Sequence, residues 1–414
     1  MRTFLNTRAA TRVIAAVAVA ASAACSGFLE VENPNVIDAG SINPVNDAAT
    51  LANSGQQNFQ SALGWTNMYS AWFTGEADVA ETFPTRNEYG RRDVTAGNGS
   101  HNGEVWFPLS QSAASNHFVA TLDLPTPDTN INYVRAHTWL GYSFLIMAEQ
   151  FCTGTVYGGP ELTTANMLDS AIANFTVAIT KGTANASTAA VALANVARVG
   201  RARAHLQRGS AANALTDANA VPANFVFNLN HVDDPANRTR LSNRMWQFTF
   251  DRGSISIAPA FRVTDPRVPY LAPGQHNLSA QDANAGPFYA QNKYPAFTTA
   301  IRVASKLEAD YIAAEAGGTA TQLTHIGLRR AANGQPVYAG ATDATSVLRE
   351  FLWQKSLDFY LEGKRMGDWR RHPTDVINVP VAGAAYFKPG FAPIGSQTCY
   401  PLPLAETDNN PNFP

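Results

Sequence analysis

Two adjacent helix-forming segments rich in small residues constrain the fold of this chain most strongly. Residues 189–206 and 211–220 both have helical periodicity, and the turn-forming residues 207–210 separate them. Alanine recurs along both segments, so the two helices can approach each other closely. Such a pair is typical of tetratricopeptide repeats of about 34 residues, although an ordinary helical hairpin would have the same local structure. The sequence therefore predicts a mostly α-helical scaffold that is tetratricopeptide-like.

Further segments with helical spacing extend this scaffold on both sides. They are predicted at residues 47–63, 133–151, 166–179, 305–315 and 345–366. Between residues 222 and 300 the helical period is lost, and short alternating runs stand between Asp-, Asn-, Pro- and Gly-rich segments. We therefore expect a helical core over about 40–221 and 300–371, a loop-rich insert with short strands over about 222–300, and an irregular tail over 372–414.

The first 24 residues have the layout of a secretory signal peptide. Three arginines precede the apolar run 13–21, which is much shorter than the ~20 residues that span a bilayer. Small residues then lead to Cys25, as in a bacterial lipobox, although Ser22 stands where such boxes usually carry a larger aliphatic residue. We expect cleavage before Cys25 and acylation of this cysteine. The alternative is an ordinary signal-peptidase site in which Cys25 has no role.

The other two cysteines, Cys152 and Cys399, are candidates for a disulfide because the leader directs the chain to an oxidising compartment. A bridge across so long a loop would contribute about 4–5 kcal/mol if it acts through chain entropy alone. The alternative is two unrelated buried thiols.

The formal charge of −2 gives no electrostatic basis for nucleic-acid binding. No metal, nucleotide or nucleophile motif is present, so we expect no metal, no cofactor and no catalytic residue.

Several short motifs along the chain together resemble a known family. Leu29-Glu30-Val31-Glu32-Asn33-Pro34 follows the lipobox, and Asp265-Pro266-Arg267 and Lys293-Tyr294 stand in mid-chain. The longest motif is Tyr360-Leu361-Glu362-Gly363-Lys364-Arg365-Met366-Gly367-Asp368-Trp369-Arg370-Arg371, and Pro401-Leu402-Pro403 follows it. In this order they resemble the SusD/RagB family of nutrient-binding outer-membrane lipoproteins, with residues 25–414 as one SusD-like domain.

The resemblance implies a function and partners. It implies a lipid-anchored protein on the outside of the bacterial outer membrane that binds oligosaccharide or peptide nutrients. It also implies a TonB-dependent SusC-like transporter as partner, and we expect the transporter to contact residues 188–221. Glu362 and Asp368, which have basic residues nearby, are expected to form buried ion pairs rather than an acid and base pair.

Aromatic and amide residues in loop-like segments are the candidates for ligand contact. Aromatic rings match the apolar faces of sugars, and Asn and Arg side chains match the hydroxyl rim. Trp65, Tyr69, Trp72 and Phe73 have helical spacing and are expected in the core. The ligand-binding candidates are Tyr89, Arg91, Asn102, Trp106, Tyr289 and Asn292.

Two rival functions remain open. One is a secreted carbohydrate-active enzyme, which needs two carboxylates roughly 5–10 Å apart in a pocket. The other is a structural surface lipoprotein without ligand.

Overall fold

The computed structural model describes residues 42–408 and 410–413. The predicted leader, Cys25 and the motif at residues 29–34 lie outside the described residues. The chain divides into two units, Met1–Asp47 and Ala48–Pro414. In the described end of the first unit, the side chain of Asn43 accepts from the N–H of Asn46, and Asp47 accepts from the N–H of Asn43. These two hydrogen bonds cap the start of the helix, because they satisfy backbone N–H groups that have no partner within it.

The first half of the chain is helical. Its helices are α1 (Pro44–Thr74), α2 (Pro84–Gly90), α3 (Phe107–Thr121, entered through one π-helical turn), α4 (Ile131–Gln150), α5 (Thr164–Asn185), α6 (Thr188–Gln207) and α7 (Ala211–Asn219). The predicted helices in this half are confirmed as α1, α4, α5, α6 and α7, but α1 and α5 extend further than predicted. Helices α2 and α3 were not predicted.

Small residues allow α4, α5 and α6 to pack closely. Phe175 of α5 is completely buried and lies between two glycines, Gly141 of α4 and Gly200 of α6. A methyl group added at Gly141 would come within 2.7 Å of the Phe175 ring, and one at Gly200 within 2.5 Å. The ring therefore fills the space that both glycines leave, which is how the Ala- and Gly-rich sequence of these helices gives a tightly packed layer.

Residues 222–300 contain short strands and loops, as predicted. The strands in and around this insert are β1 (Ala77–Val79), β2 (Thr153–Gly154), β3 (Leu162–Thr163), β4 (Val226–Leu229), β5 (Ile255–Ile257), β6 (Tyr270–Leu271), β7 (Ala290–Gln291) and β8 (Ile301–Ser305). Strands β1, β5, β7 and β6 form one antiparallel sheet in that order. Strand β4 pairs with β8, which leads directly into the next helix.

The later helices are α8 (Arg238–Leu241), α9 (Arg244–Trp246), α10 (Lys306–Ala316), α11 (Thr319–Ala332), α12 (Ala344–Asp358), α13 (Arg365–Arg371) and α14 (Leu404–Thr407). Helix α10 was predicted and α11 was not. The predicted helix 345–366 is wrong at its end, because α12 stops at Asp358. Leu361 and Gly363 there have positive φ angles of 58° and 69°, which a helix cannot contain. The turn they form sends Glu362 away from the helix axis.

The tail is irregular but is held against both the helical part of the molecule and the insert. Cys152, just after α4, is bridged to Cys399, with Cα atoms 5.1 Å apart. Tyr400 is completely buried and forms a β-bridge with Phe151, and the ammonium of Lys388 donates to Asp282 over 3.1 Å. Within the described part of the chain, no helix is long and apolar enough to cross a membrane.

Candidate binding cleft

A cleft of about 490 Å³ lies where the insert meets the later helices. Loop residues of the insert form one wall, and β8, α10, α11 and the end of α12 form the other. The lining residues are Asn228, Pro266, Arg267, Pro269, Asn292, Lys293, Tyr294, Ala300, Arg302, Leu307, Arg329, Asp358 and Glu362. Three motifs that the sequence placed far apart, at 265–267, 293–294 and 360–362, meet in this cleft. Its volume is in the range of small-ligand sites.

The first carboxylate of the cleft, Asp358, holds two arginines. Arg329 donates to Asp358 through both Nε and Nη2, at 2.9 and 2.7 Å, and Arg267 donates through Nη1 at 3.2 Å. Tyr311 also donates to Asp358 from its hydroxyl. Arg267 is fixed from behind by Asp265, whose two oxygens accept from its Nε and Nη2. The motif 265–267 is therefore a local Asp–Arg fork that aims one guanidinium at the end of α12.

The second carboxylate, Glu362, holds one lysine and one arginine. The Lys293 ammonium donates to Glu362 over 2.7 Å, and Arg302 donates to it through Nε and Nη2 at 3.1 and 2.7 Å. Burial would raise the pKa of Glu362, but the charges of Lys293 and Arg302 outweigh burial and lower it to about 2. Glu362 is consequently an anion at neutral pH. It cannot serve as the proton donor that a glycoside hydrolase needs.

The prediction of ion pairs around the C-terminal signature is confirmed, with one change of partners. Asp368 pairs with Lys355 and Arg371, both at 2.7 Å. Glu362 pairs with Lys293 and Arg302, which come from elsewhere in the chain, rather than with the basic residues next to it in sequence. The positive-φ turn explains this difference, because it points Glu362 toward the insert and away from α13.

Two amide side chains of the cleft are without a hydrogen-bond partner in the described part of the chain. Among the described residues, no hydrogen bond uses the side-chain amide of Asn228 or of Asn292, although the backbone N–H of Asn292 donates to Pro269 over 2.8 Å. Asn228 is exposed and Asn292 is half-buried. Each amide offers both donors and an acceptor, which is the pattern that a sugar hydroxyl can satisfy.

The structure places the six predicted ligand contacts in different surroundings. Tyr89 and Trp106 are completely buried, and Tyr89 shares a hydrogen bond with His101, so the prediction for these two rings is corrected: they are core residues. Of the four residues predicted in the core, Tyr69, Trp72 and Phe73 are buried, and Trp65 is half-buried and packs against the core. The Gly- and Asn-rich sequence around both rings suggested loops, but it forms α2 and the turn before α3.

The remaining four predicted contacts are at least partly accessible. Arg91 pairs with Asp93 at 3.3 Å, and Asn102 lies in the π-helical turn before α3. Tyr289 packs beneath the guanidinium of Arg262, 3.9 Å from the ring centre. Of the six, only Asn292 lines the cleft. Asn228, Arg302 and Arg329 were missed, because the short strands β4 and β8 and the weakly apolar helix α11 gave no sequence signal that singled them out.

Comparison with known proteins gives a clear result for the fold. No known family profile and no curated protein sequence matches the chain. Solved structures do match it. A laminarin-binding SusD-like protein aligns at a TM-score of 0.66 and 12% identity, over 89% of this chain and 98% of the other. A putative sugar-binding protein from Bacteroides vulgatus aligns at 0.65 and 16%, over 90% and 98%.

A third structure, a SusD-like carbohydrate-binding protein from Bacteroides vulgatus, aligns at a TM-score of 0.60 and 15% identity, over 79% of this chain and 83% of the other. The protein therefore has the SusD-like fold. The resemblance and the mostly helical fold class predicted from the short motifs are confirmed at the level of the fold. At these identities the likeness concerns the architecture, and the function has to be argued from the cleft.

Proposed function

We propose that this chain is a surface lipoprotein of the outer membrane that captures oligosaccharide and passes it to a TonB-dependent SusC-like transporter. The observation that carries the capture role is the cleft with the unpartnered amides of Asn228 and Asn292, set in a fold shared with proteins named for carbohydrate binding. The cleft's charged side chains are held by buried carboxylates, so these side chains lose little conformational entropy when a ligand binds.

Calorimetric titration of the full chain with a panel of oligosaccharides tests the capture role. We expect saturable binding by at least one class, and at least a tenfold loss of affinity in an N228A/N292A double variant, because each amide supplies hydrogen bonds to hydroxyl groups. Asn219→Ala at the exposed end of α7 is the matched control and should bind as the original chain does. Binding of peptides alone would replace oligosaccharide by peptide as the nutrient. Turnover of a bound oligosaccharide would instead support the rival enzymatic function.

Delivery requires a partner and an anchor. We place the transporter contact on α6 and α7, which the sequence resemblance implied, and the anchor on an acylated Cys25. Affinity purification of the tagged protein from detergent-solubilised outer membranes should recover a large β-barrel transporter in equal amount. Cross-links from α6 and α7 should then reach that transporter, and mass spectrometry should find the acyl chains on Cys25. Recovery of the lipoprotein alone would contradict the delivery role. Cross-links that come only from other surfaces would show that the transporter does not contact α6 and α7.

The external orientation of the anchor is tested on intact cells. We expect added protease to digest the protein without lysis, and we expect Cys25→Ser to release it from the membrane fraction, because a polar serine carries no acyl chains. A periplasmic marker protein is the control for cell integrity. Protection in intact cells would contradict the exterior position.

A further inference from the structure

The cleft presents cations to solvent and keeps its carboxylates behind them. The side chains of Arg302, Arg329 and Lys293 are 23%, 21% and 19% exposed, whereas those of Asp358 and Glu362 are 3% and 2% exposed. A ligand that enters the cleft therefore contacts guanidinium and ammonium groups before it can reach a carboxylate oxygen. The charges that a ligand contacts are positive, although the whole chain has a formal charge of −2.

Charge compensation inside the cluster is incomplete. Four cationic side chains, Arg267, Lys293, Arg302 and Arg329, line the cleft. Among the residues that the structure describes, the ion pairs of these four involve three carboxylates, those of Asp265, Asp358 and Glu362. The cluster thus has one positive charge in excess. The side chains of Arg267 and Asp265 are both buried, at 7% and 2% exposure, so the excess charge lies on the more exposed Lys293, Arg302 and Arg329.

Hydrogen-bond donors also remain for a ligand. Arg302 donates through Nε and Nη2 to Glu362 and to the Asp358 carbonyl, and no hydrogen bond within the described part of the chain uses its Nη1. The Lys293 ammonium has three donors and makes two hydrogen bonds, to Glu362 and to the Tyr360 carbonyl. Both side chains are held in place by these bonds, so their remaining N–H groups are fixed before a ligand arrives.

We propose that this cleft selects sugars that carry an oxyanion, either the carboxylate of a uronic acid or a sulfate ester. This inference rests on the proposed capture function and names its substrate class. Arg302 and Lys293 bind the oxyanion, since charge-assisted hydrogen bonds to carboxylate or sulfate are about twice as strong as neutral ones. Asn228 and Asn292 bind neighbouring hydroxyl groups. A neutral sugar leaves the excess charge of the cleft without a partner.

Matched pairs of probes test the selection. Oligogalacturonate is compared with its neutral methyl ester, and a sulfated galactan oligosaccharide with its desulfated form, by calorimetry on the full chain. We expect at least tenfold tighter binding of the charged member in one pair, and the pair that responds identifies carboxylate or sulfate as the group recognised. The advantage should shrink when salt rises from 0.05 to 0.5 M, because part of the cationic surface is solvent-exposed.

Arg302→Gln should remove most of this advantage, because the guanidinium that binds the oxyanion is lost. Arg208→Gln, at a surface ion pair with Asp169 just after the end of α6, is the control and should change neither affinity. Circular dichroism melting confirms that both variants fold, and the salt dependence tests the inference without any variant.

The outcomes separate this inference from the proposed function. Equal affinity for charged and neutral oligosaccharides overturns the oxyanion selection and leaves the capture function standing. Failure of every oligosaccharide to bind overturns both. An acidic peptide that binds with the same salt dependence, and that no oligosaccharide displaces, also overturns both and identifies the cleft as a peptide site.

Discussion

Two buried glutamates stand next to the positive-φ turn at Leu361, and their pKa values are shifted in opposite directions. The carboxylate of Glu76 accepts the N–H of Leu361 over 3.0 Å, while the next residue, Glu362, faces the cleft. Burial raises the pKa of Glu76 to about 7, because the charges of Arg365 and Lys293 only partly offset it. Glu362 has close cationic partners, and its pKa falls to about 2.

Neutralising Glu362 should destabilise the fold. Glu362→Gln leaves Lys293 and Arg302 half-buried without their anion, and removing one member of such a cluster costs about 3–5 kcal/mol. Chemical denaturation at pH 7 measures the loss. Glu161→Gln, at an exposed position, is the matched control and should leave the denaturation midpoint unchanged. A loss no larger than that of the control would show that the cluster does not depend on this carboxylate.

Glu76 should make stability depend on pH in the opposite sense to the usual paired carboxylate. Its folded pKa lies above the unfolded value of about 4.5, so the folded state holds a proton that the unfolded state releases, and stability falls as pH rises from about 4.5 to 7. Glu76→Gln removes this dependence. We expect the variant to gain on the order of 3 kcal/mol relative to the original chain between pH 5 and 8. Unfolding free energies that change in parallel for both proteins would contradict this.

Sequence patterns predicted residue identities in the cleft only in part. Asn292 was named as a contact because an amide beside aromatic residues suits sugars, and Glu362 was recognised as an ion-pair member. The partners of Glu362 could not be predicted, since they depend on a left-handed leucine, a conformation that no sequence pattern indicates. Tyr89 and Trp106 were wrongly predicted to contact ligand, because their polar neighbours in sequence do not reveal which residues bury each ring in the folded chain.

At the scale of elements, helices with strong apolar periodicity were predicted well and the others were not. Helices α4, α6 and α10 begin and end within two residues of the predicted limits. Helix α11 was missed because only a narrow stripe of it is buried, at Gln322, His325 and Ile326, and two of these residues are polar. The insert was recognised from lost periodicity, but its strand pairing is non-local and could not be predicted.

The packing of Phe175 between two glycines leads to a prediction about α6. Gly200→Ala should destabilise the protein by about 1–3 kcal/mol even though alanine is the better helix former, since the new methyl group would come within 2.5 Å of the ring. Gly327→Ala in α11 is the control. Nothing lies within 4 Å of a methyl group there, so it should stabilise by roughly 0.5–1 kcal/mol. Thermal melts of both variants test the contrast, and stabilisation by Gly200→Ala would refute the close packing.

At the scale of the whole molecule, the disulfide connects the helical half to the tail. Because Cys152 and Cys399 are 247 residues apart, a Cys152→Ser/Cys399→Ser double variant should lose about 2–5 kcal/mol, chiefly by restoring entropy to the unfolded chain. Denaturation of the original chain with and without reductant should show the same loss. A variant with unchanged stability would indicate that the tail's other contacts already hold it in place.

The position of Tyr400 has a consequence for the order in which the protein is made. This completely buried ring packs against Phe73, Tyr89 and Phe151, at centroid distances of 4.9, 4.9 and 5.5 Å. The packing of residues from α1, α2 and the end of α4 is therefore incomplete without it. Synthesis runs from the amino to the carboxyl end, so the first 150 residues emerge long before the ring that completes their packing. The aromatic contacts of these early residues can therefore be completed only after Tyr400, near the carboxyl end, has been made.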